Sequence, residues 1–316
     1  MKPIIYITQK LPEQAVAKLQ DSYDVRMWHE EHSPAPREEL LEQAKEAHAL
    51  WVMLSDKIDR AVFEAAPNLK IISNLAVGYN NIDLEAAHDF KVMVTNTPDV
   101  LTETTADLTF ALLLATARRI VEADKTVRSG EWKSWSPMGM TGQNVGGATL
   151  GIIGMGRIGE AVARRGQGFG MNVLYHNRTR RSLEDVKYAG LDELLQTADF
   201  VVLLTPLTEE TRGMIGEREL SLMKETACLI NVARGGIVEE AALYEALKAK
   251  KIWGAGLDVF EQEPVPTDHP LLSLPNVTVL PHIGSATVQT RLAMMDMNAE
   301  AIASCLSGKS VKNRVC

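Results

Sequence analysis

Thr149-Leu150-Gly151-Ile152-Ile153-Gly154-Met155-Gly156-Arg157-Ile158-Gly159 decides the fold. Leu150 to Ile153 is a short, mostly apolar run that reads as a buried strand. Ile158, Ala161, Val162 and Arg165 then follow at helical spacing. Between strand and helix stands G-x-G-x-x-G, formed by Gly154, Gly156 and Gly159. The pattern alone is weak, but between a strand and a helix it is a strong dinucleotide signal. Gly154 permits the tight turn, Gly156 removes a side chain that would block a pyrophosphate, and Gly159 lets the helix approach the strand. The helix N-terminus then stabilises the pyrophosphate charge. The competing reading is a glycine-rich turn with a structural role only.

Downstream, Asn172–Tyr175, Phe200–Leu204, Ala227–Asn231, Gly254–Val259 and Val277–Leu280 read as further strands. With Thr149–Ile153 they make six strands joined by crossovers, which predicts the order 3-2-1-4-5-6. Upstream, apolar runs at Ile4–Thr8, Val25–Trp28, Ala49–Leu54, Leu69–Asn74 and Val92–Thr95 alternate with helical patterns at Pro12–Gln20, Arg37–Ala47, Ala61–Ala66 and Asp83–His88. This is a second set of parallel strands. The fold expected is α/β, with two doubly wound parallel-sheet domains: a small flavodoxin-like one and a Rossmann dinucleotide-binding one. Asn96-Thr97-Pro98-Asp99 breaks the rhythm: Pro98 disfavours helix before it, and Asp99 is suited to cap the next helix. A single long helix is expected over Leu101–Arg128, packed either in the core or on a second subunit. Thr287–Leu306 is one more helical pattern.

The 316 residues suffice for two domains. A net charge of −8 works against phosphate polymers and anionic membranes, and 5% aromatics leave little for base stacking. No nucleic-acid or membrane partner is expected. The longest apolar stretch, Leu108–Ala117, is far below the roughly 20 residues of a span. Cys228, Cys305 and Cys316 fit no disulfide framework or zinc spacing, which points to a reducing cytoplasm and to no bound metal.

The second strand tests which dinucleotide binds. NAD sites usually carry an acid about 20 residues past the glycines, for the ribose 2′-hydroxyl. Here Tyr175 runs into His176-Asn177-Arg178-Thr179-Arg180-Arg181, with no carboxylate. Forked guanidiniums suit a 2′-phosphate. Asn177, Arg178 and Arg181 are therefore cofactor candidates, with NADPH preferred and NAD possible. The alternative is a solvated basic turn.

Ligands of such sheets bind at the carboxyl ends of strands. Asn231-Val232-Ala233-Arg234-Gly235-Gly236, Asp258 to Pro264, and Pro281-His282-Ile283-Gly284-Ser285 come after three successive strands. Histidine carries and releases a proton near neutrality, a carboxylate beside it favours the imidazolium, and arginine binds a substrate carboxylate and polarises its carbonyl. These types suit reduction of a 2-oxo acid, with the cofactor supplying the hydride. Asp258 is either an acceptor for the nicotinamide carboxamide or a strand-end turn former.

These segments, with Leu101–Arg119 in register, resemble the D-isomer-specific 2-hydroxyacid dehydrogenase family over nearly the whole chain. Gly130-Glu131-Trp132-Lys133-Ser134-Trp135-Ser136-Pro137 and the Arg178–Arg181 turn resemble its glyoxylate/hydroxypyruvate reductase branch. The resemblance implies Arg234 on the substrate carboxylate, Glu263 as partner of the histidine and His282 as acid/base. It implies Asp258 on the nicotinamide, with Thr105, Arg157, Ile158 and Val232 as further cofactor contacts beside Gly154, Gly156 and Gly159. Val77 and Gly78 match a loop whose amides hold the substrate carboxylate.

The resemblance further implies a discontinuous substrate domain, 1–97 with 285–316, around a dinucleotide-binding domain, 98–284. Hinges are implied near Pro98 and Ile283, with closure over the substrate and a homodimer through the long helix. Gly139 stands where some relatives carry an aromatic cap, and the lysine usual before Thr149 is missing.

The function expected is NADPH-dependent reduction of glyoxylate and hydroxypyruvate to D-2-hydroxy acids. The alternatives are an NAD-dependent dehydrogenase of another D-2-hydroxy acid, or a dinucleotide-sensing scaffold on the same fold.

Overall fold

Fully buried parallel strands need continuous apolar runs rather than alternation, and the two sheets of this protein are built from such runs. The computed structural model describes residues 2–316. The chain divides into two compact units, one of the residues up to Leu101 with 286–316, the other of Thr102–Ser285. The boundaries thus fall four residues and one residue later than expected from the sequence.

In the first unit β1 (Ile4–Ile7), α1 (Glu13–Gln20), β2 (Asp24–Met27), α2 (Arg37–Ala44), β3 (Ala49–Val52), α3 (Arg60–Ala65), β4 (Ile71–Asn74), α4 (Leu84–Asp89) and β5 (Met93–Thr95) alternate. The sheet is parallel with order β2-β1-β3-β4-β5, the flavodoxin-like arrangement. Every residue of β1, β3 and β4 is buried. One face packs Leu50, Val52 and Ile72 against Val62, Phe63 and Ala86. The C-terminal helix Val288–Leu306 belongs to this unit, and the side-chain oxygen of its fully buried Asn298 accepts from Trp51 Nε1 at 2.9 Å and from Leu75 N at 3.3 Å.

The second unit opens with α5 (Thr102–Ala117) and α6 (Ile120–Arg128). Next come β6 (Thr149–Ile153), α7 (Arg157–Gly168), β7 (Asn172–His176), β8 (Lys187–Tyr188), α8 (Leu191–Thr197), β9 (Phe200–Leu203), α9 (Glu217–Leu222), β10 (Cys228–Asn231), α10 (Glu240–Lys248), β11 (Gly254–Leu257) and β12 (Val277–Val279). Seven parallel strands run in the order β12-β11-β10-β9-β6-β7-β8. Alternate strand residues face opposite layers. Phe200 and Val202 pack on the side of α5 and α7, while Val201 and Leu203 pack on the side of α8, α9 and α10. The direction of winding reverses between β6 and β9, the place where such sheets bind their ligands.

Two expectations are corrected. The sheet has seven strands, not six: β8 is a two-residue edge strand paired to β7 alone, too short to carry a pattern. The long helix is two helices. Gln143 N–H donates to Ala117 O at 2.8 Å, and Gly142 lies so close that a Cβ would stand 2.2 Å from that carbonyl. This packing takes the carbonyl out of the helical ladder, and Arg119 turns the chain with φ of 55°. The helix after Asp99 begins at Thr102, and Asp99 itself has φ of 71°.

Candidate functional site

The glycine turn shows each glycine under a different constraint. Gly154 has φ of 103°, and a Cβ there would stand 2.5 Å from Thr205 N. A Cβ on Gly159 would stand 2.6 Å from Gly154 O, so only glycine lets α7 approach this closely. Gly156 differs, because a Cβ there would meet nothing within 4 Å. Its missing side chain leaves open space at the start of α7, where Arg157 and Ile158 form the first turn. That is the space a pyrophosphate needs.

The turn after β7 braces this loop. Asn177 Oδ1 accepts from Met155 N at 2.6 Å, and its Nδ2 donates to Met155 O at 3.2 Å. Arg181 donates to Met155 O at 2.8 Å and pairs with Glu160 of α7 at 2.5 Å. Tyr175 Oη accepts from Arg181 N at 3.0 Å. Arg178 pairs with Glu210 at 3.0 Å, with both side chains well exposed. Arg180 lies over the Tyr188 ring at 5.5 Å. The basic turn is thus engaged by two carboxylates and a ring, partners that no local pattern singles out.

Three candidates converge on Gly284. A Cβ there would stand 3.4 Å from Asp258 Oδ2, 3.5 Å from Thr105 Cγ2 and 3.6 Å from Val232 Cγ1. Asp258 is 1% exposed. Its Oδ1 accepts from Ile283 N at 2.8 Å and its carbonyl from His282 N at 2.8 Å. Its Oδ2 is buried with no hydrogen-bond partner among the described residues. Burial pushes the carboxyl above its ordinary range, opposed by the Ile283 amide and the His282 charge. A buried, half-used carboxylate is costly unless a donor arrives, and a carboxamide NH₂ is such a donor. The residues present therefore fit a nicotinamide dinucleotide at both ends, at Gly156 and at Asp258.

Arg234, Glu263 and His282 come together on one rim. His282 Nδ1 lies 2.6 Å from Glu263 Oε2. Glu263 Oε1 accepts from Phe260 N at 2.9 Å, which fixes the carboxylate plane. Burial pushes Glu263 up, but the His282 hydrogen bond and charge, the Phe260 amide and the Arg234 charge together hold it below the usual carboxylate range. Arg234 is largely enclosed; its Nη1 donates to Ala233 O at 2.7 Å. Burial works against its charge and Glu263 supports it. His282 sits in the left-handed region with φ of 55°, held there by the two bonds from its turn to Asp258. Gly235 joins the Arg234 and Glu263 turns: a Cβ on it would stand 1.8 Å from Phe260 C.

Val77 and Gly78 lie in the first unit, in the loop after β4. Asn96 Nδ2 donates to Val77 O and Asn74 Nδ2 to Gly78 O, each at 2.9 Å. Asn81 Nδ2 donates to the carbonyls of Met53 and Asp56 at 3.1 Å. In the second unit Asn231, 1% exposed, accepts from Ala233 N at 3.1 Å and donates to Arg234 O at 2.8 Å. Sequence reasoning missed the work of these asparagines. Their signal was their place, at or just beyond strand ends, where a side-chain amide satisfies turn groups.

Residues 110–284 match the NAD binding domain of the D-isomer specific 2-hydroxyacid dehydrogenase family. All of the chain aligns at 51% identity with a glyoxylate reductase of Korarchaeum cryptofilum, covering 96% of that protein. A crystal structure of a Thermus thermophilus protein superposes with a TM-score of 0.94 at 44% identity, over 99% of this chain and 100% of that one. The NADPH-dependent glyoxylate/hydroxypyruvate reductase of Sinorhizobium meliloti, solved with NADP and malonate, gives 0.87 at 34% identity, over 100% and 97%. The chain belongs to the D-isomer specific 2-hydroxyacid dehydrogenase family, in its glyoxylate reductase branch. It is an oxidoreductase that uses a nicotinamide dinucleotide. No helix among the described residues is long and apolar enough to cross a membrane.

Proposed function

We propose that the protein reduces glyoxylate and hydroxypyruvate, giving glycolate and D-glycerate, with NADPH as preferred reductant and His282 as proton donor. The observation that carries this is the 2.6 Å contact between His282 and Glu263 on a turn shared with the enclosed Arg234. Arg234 binds the substrate carboxylate and polarises the carbonyl. Glu263, ionised and fixed by Phe260 N, holds Nδ1 and stabilises the imidazolium, leaving Nε2 as the proton-giving atom. When bound, the dinucleotide would supply the hydride that the carbonyl carbon accepts. The carbonyl oxygen takes the Nε2 proton, C=O becomes CH–OH, and neutral His282 regains a proton from solvent. Gly154, Gly156, Gly159, Arg157 and Ile158 hold the pyrophosphate side, while Thr105, Val232 and Asp258 hold the nicotinamide side. Asn177, Arg178 and Arg181 serve the 2′-phosphate, and Val77 and Gly78 serve as substrate contacts of the first unit.

One observation favours a second reading, that NADH is also used: Arg178 and Arg181 are already paired with Glu210 and Glu160. The residues up to 97 with 285–316 would form the substrate domain and 98–284 the dinucleotide-binding domain. A homodimer in the cytoplasm completes the proposal. It is supported by large apolar side chains left exposed on one segment, among them Ile120, Val127, Trp132, Met138 and Trp135, the last 79% exposed.

Initial rates for glyoxylate, hydroxypyruvate, pyruvate and 2-oxoglutarate with NADPH and NADH test the reading. Glyoxylate and hydroxypyruvate with NADPH are expected to lead. His282→Ala is expected to lower kcat by roughly 10²–10⁴-fold with NADPH binding kept; near-normal turnover would refute the role.

A further inference from the structure

We infer that His269 and Glu240 form a second histidine–carboxylate pair that holds the Phe260–Glu263 turn, and through it the contact between Glu263 and His282. The inference rests on the reading of Glu263 and His282 as the reacting pair.

Glu240 is the first residue of α10, just beyond the Arg234 turn. Its Oε1 accepts from Glu261 N at 2.7 Å, and its Oε2 faces His269 Nε2 at 3.1 Å. The two side chains are only 15% and 19% exposed. Consecutive amides of one turn therefore go to different carboxylates, Phe260 N–H to Glu263 and Glu261 N–H to Glu240. Each carboxylate places its other oxygen on a histidine. The His269 ring also meets Phe260 edge-on, with centroids 6.1 Å apart, and His269 N–H donates to Pro266 O at 3.0 Å. Gly235 is pressed against the same peptide between Phe260 and Glu261 whose amide Glu240 accepts from.

The two histidines differ in what their second nitrogen can do. His269 Nδ1 is buried with no partner among the described residues. A neutral ring with its hydrogen on Nε2 satisfies Glu240 and leaves only a lone pair on Nδ1. A hydrogen on Nδ1 would be a buried donor without an acceptor. His269 is thus a fixed donor without a route for a proton, and its role is positioning. Without it, Glu240 Oε2 loses its donor, and the carboxylate no longer has reason to stay on Glu261 N–H. A carboxylate freed to turn loosens the amide ladder that aims Glu263.

The test compares His269→Leu, His269→Gln, Glu240→Gln and His282→Ala, each checked for folding by melting and for NADPH binding by fluorescence. The readout is kcat and KM for glyoxylate across pH. His269→Leu and Glu240→Gln are expected to lower kcat about 10- to 100-fold with NADPH binding kept. The alkaline limb of kcat should move to lower pH, because a displaced Glu263 supports the donor's proton less. His269→Gln, which keeps a donor of similar reach, should recover most of the loss. Parent-like kcat and pH profile in folded His269→Leu, or in Glu240→Gln should His269→Leu not fold, would overturn the inference. Turnover kept by His282→Ala would instead overturn the underlying reading, whatever the His269 variants do.

Discussion

In the first unit the loop after β4 is held by neutral amides, with the Asp56 carboxylate on the turn after β3, whereas in the second unit several charged groups join the amides of Asn177 and Asn231. Asn74, Asn81 and Asn96 fix the carbonyls of Gly78, Met53, Asp56 and Val77 without bringing a formal charge. Asp258, Glu263, Glu240 and Arg181 fix their turns with carboxylates or a guanidinium. A neutral amide donates and accepts at once and leaves the local field to the backbone. A buried charge brings a field that can hold a proton or an anion, at the cost of needing every partner in place. Amide anchors without a nearby charge therefore suit recognition, and the turns that carry chemistry add charged anchors to the amides.

The contrast can be broken most sharply at Arg234. Arg234→Ala is expected to lower kcat/KM for glyoxylate by roughly 10³-fold. Arg234→Lys should recover little, because a point charge lacks the fork that meets a carboxylate. Full rescue by lysine would mean that charge alone matters. In the first unit, Asn81→Ala should raise KM for the 2-oxo acid roughly fivefold, since one lost hydrogen-bonding group costs about 1 kcal/mol, and should change kcat little. A collapse of kcat there would erase the proposed division of labour. The smallest effect is expected at the exposed Arg178–Glu210 pair. Glu210→Gln should raise the NADPH-over-NADH ratio of kcat/KM by about two- to fivefold and leave the melting temperature unchanged, in keeping with the worth of an exposed ion pair. An unchanged ratio would remove Arg178 from cofactor choice.

The features legible in the sequence were those the backbone demands locally. Gly154 and Gly159 announce a turn because no other residue meets their constraints, and Gly156 because its missing side chain leaves the space a pyrophosphate needs. Arg234, Asp258 and His282 could be read because each lies close behind a strand, and parallel strands bring their ends to one rim. Their supports were hidden by distance. Glu240 is one acid among many on helices, and nothing in its surroundings points 21 residues ahead to Glu261 N–H or 29 ahead to His269. Glu210 and Glu160 were equally silent as partners of the basic turn. The break after Ala117 has no helix breaker in the sequence; it is imposed by Gln143, 26 residues on. β8 is two residues long, below the length at which any period can be seen.

Gly235 carries a consequence for how such an enzyme diversifies. No side chain can be added there without parting the Arg234 turn from the Phe260–Glu263 turn. The anion-binding cation and the histidine's carboxylate are consequently inherited as one block, because a change that relaxes the seam disturbs both. New substrate preferences must then arise by altering the surroundings of the block. Across a lineage, selection can rewrite which molecule the enzyme recognises far more easily than it can rewrite how the proton and the carboxylate are handled.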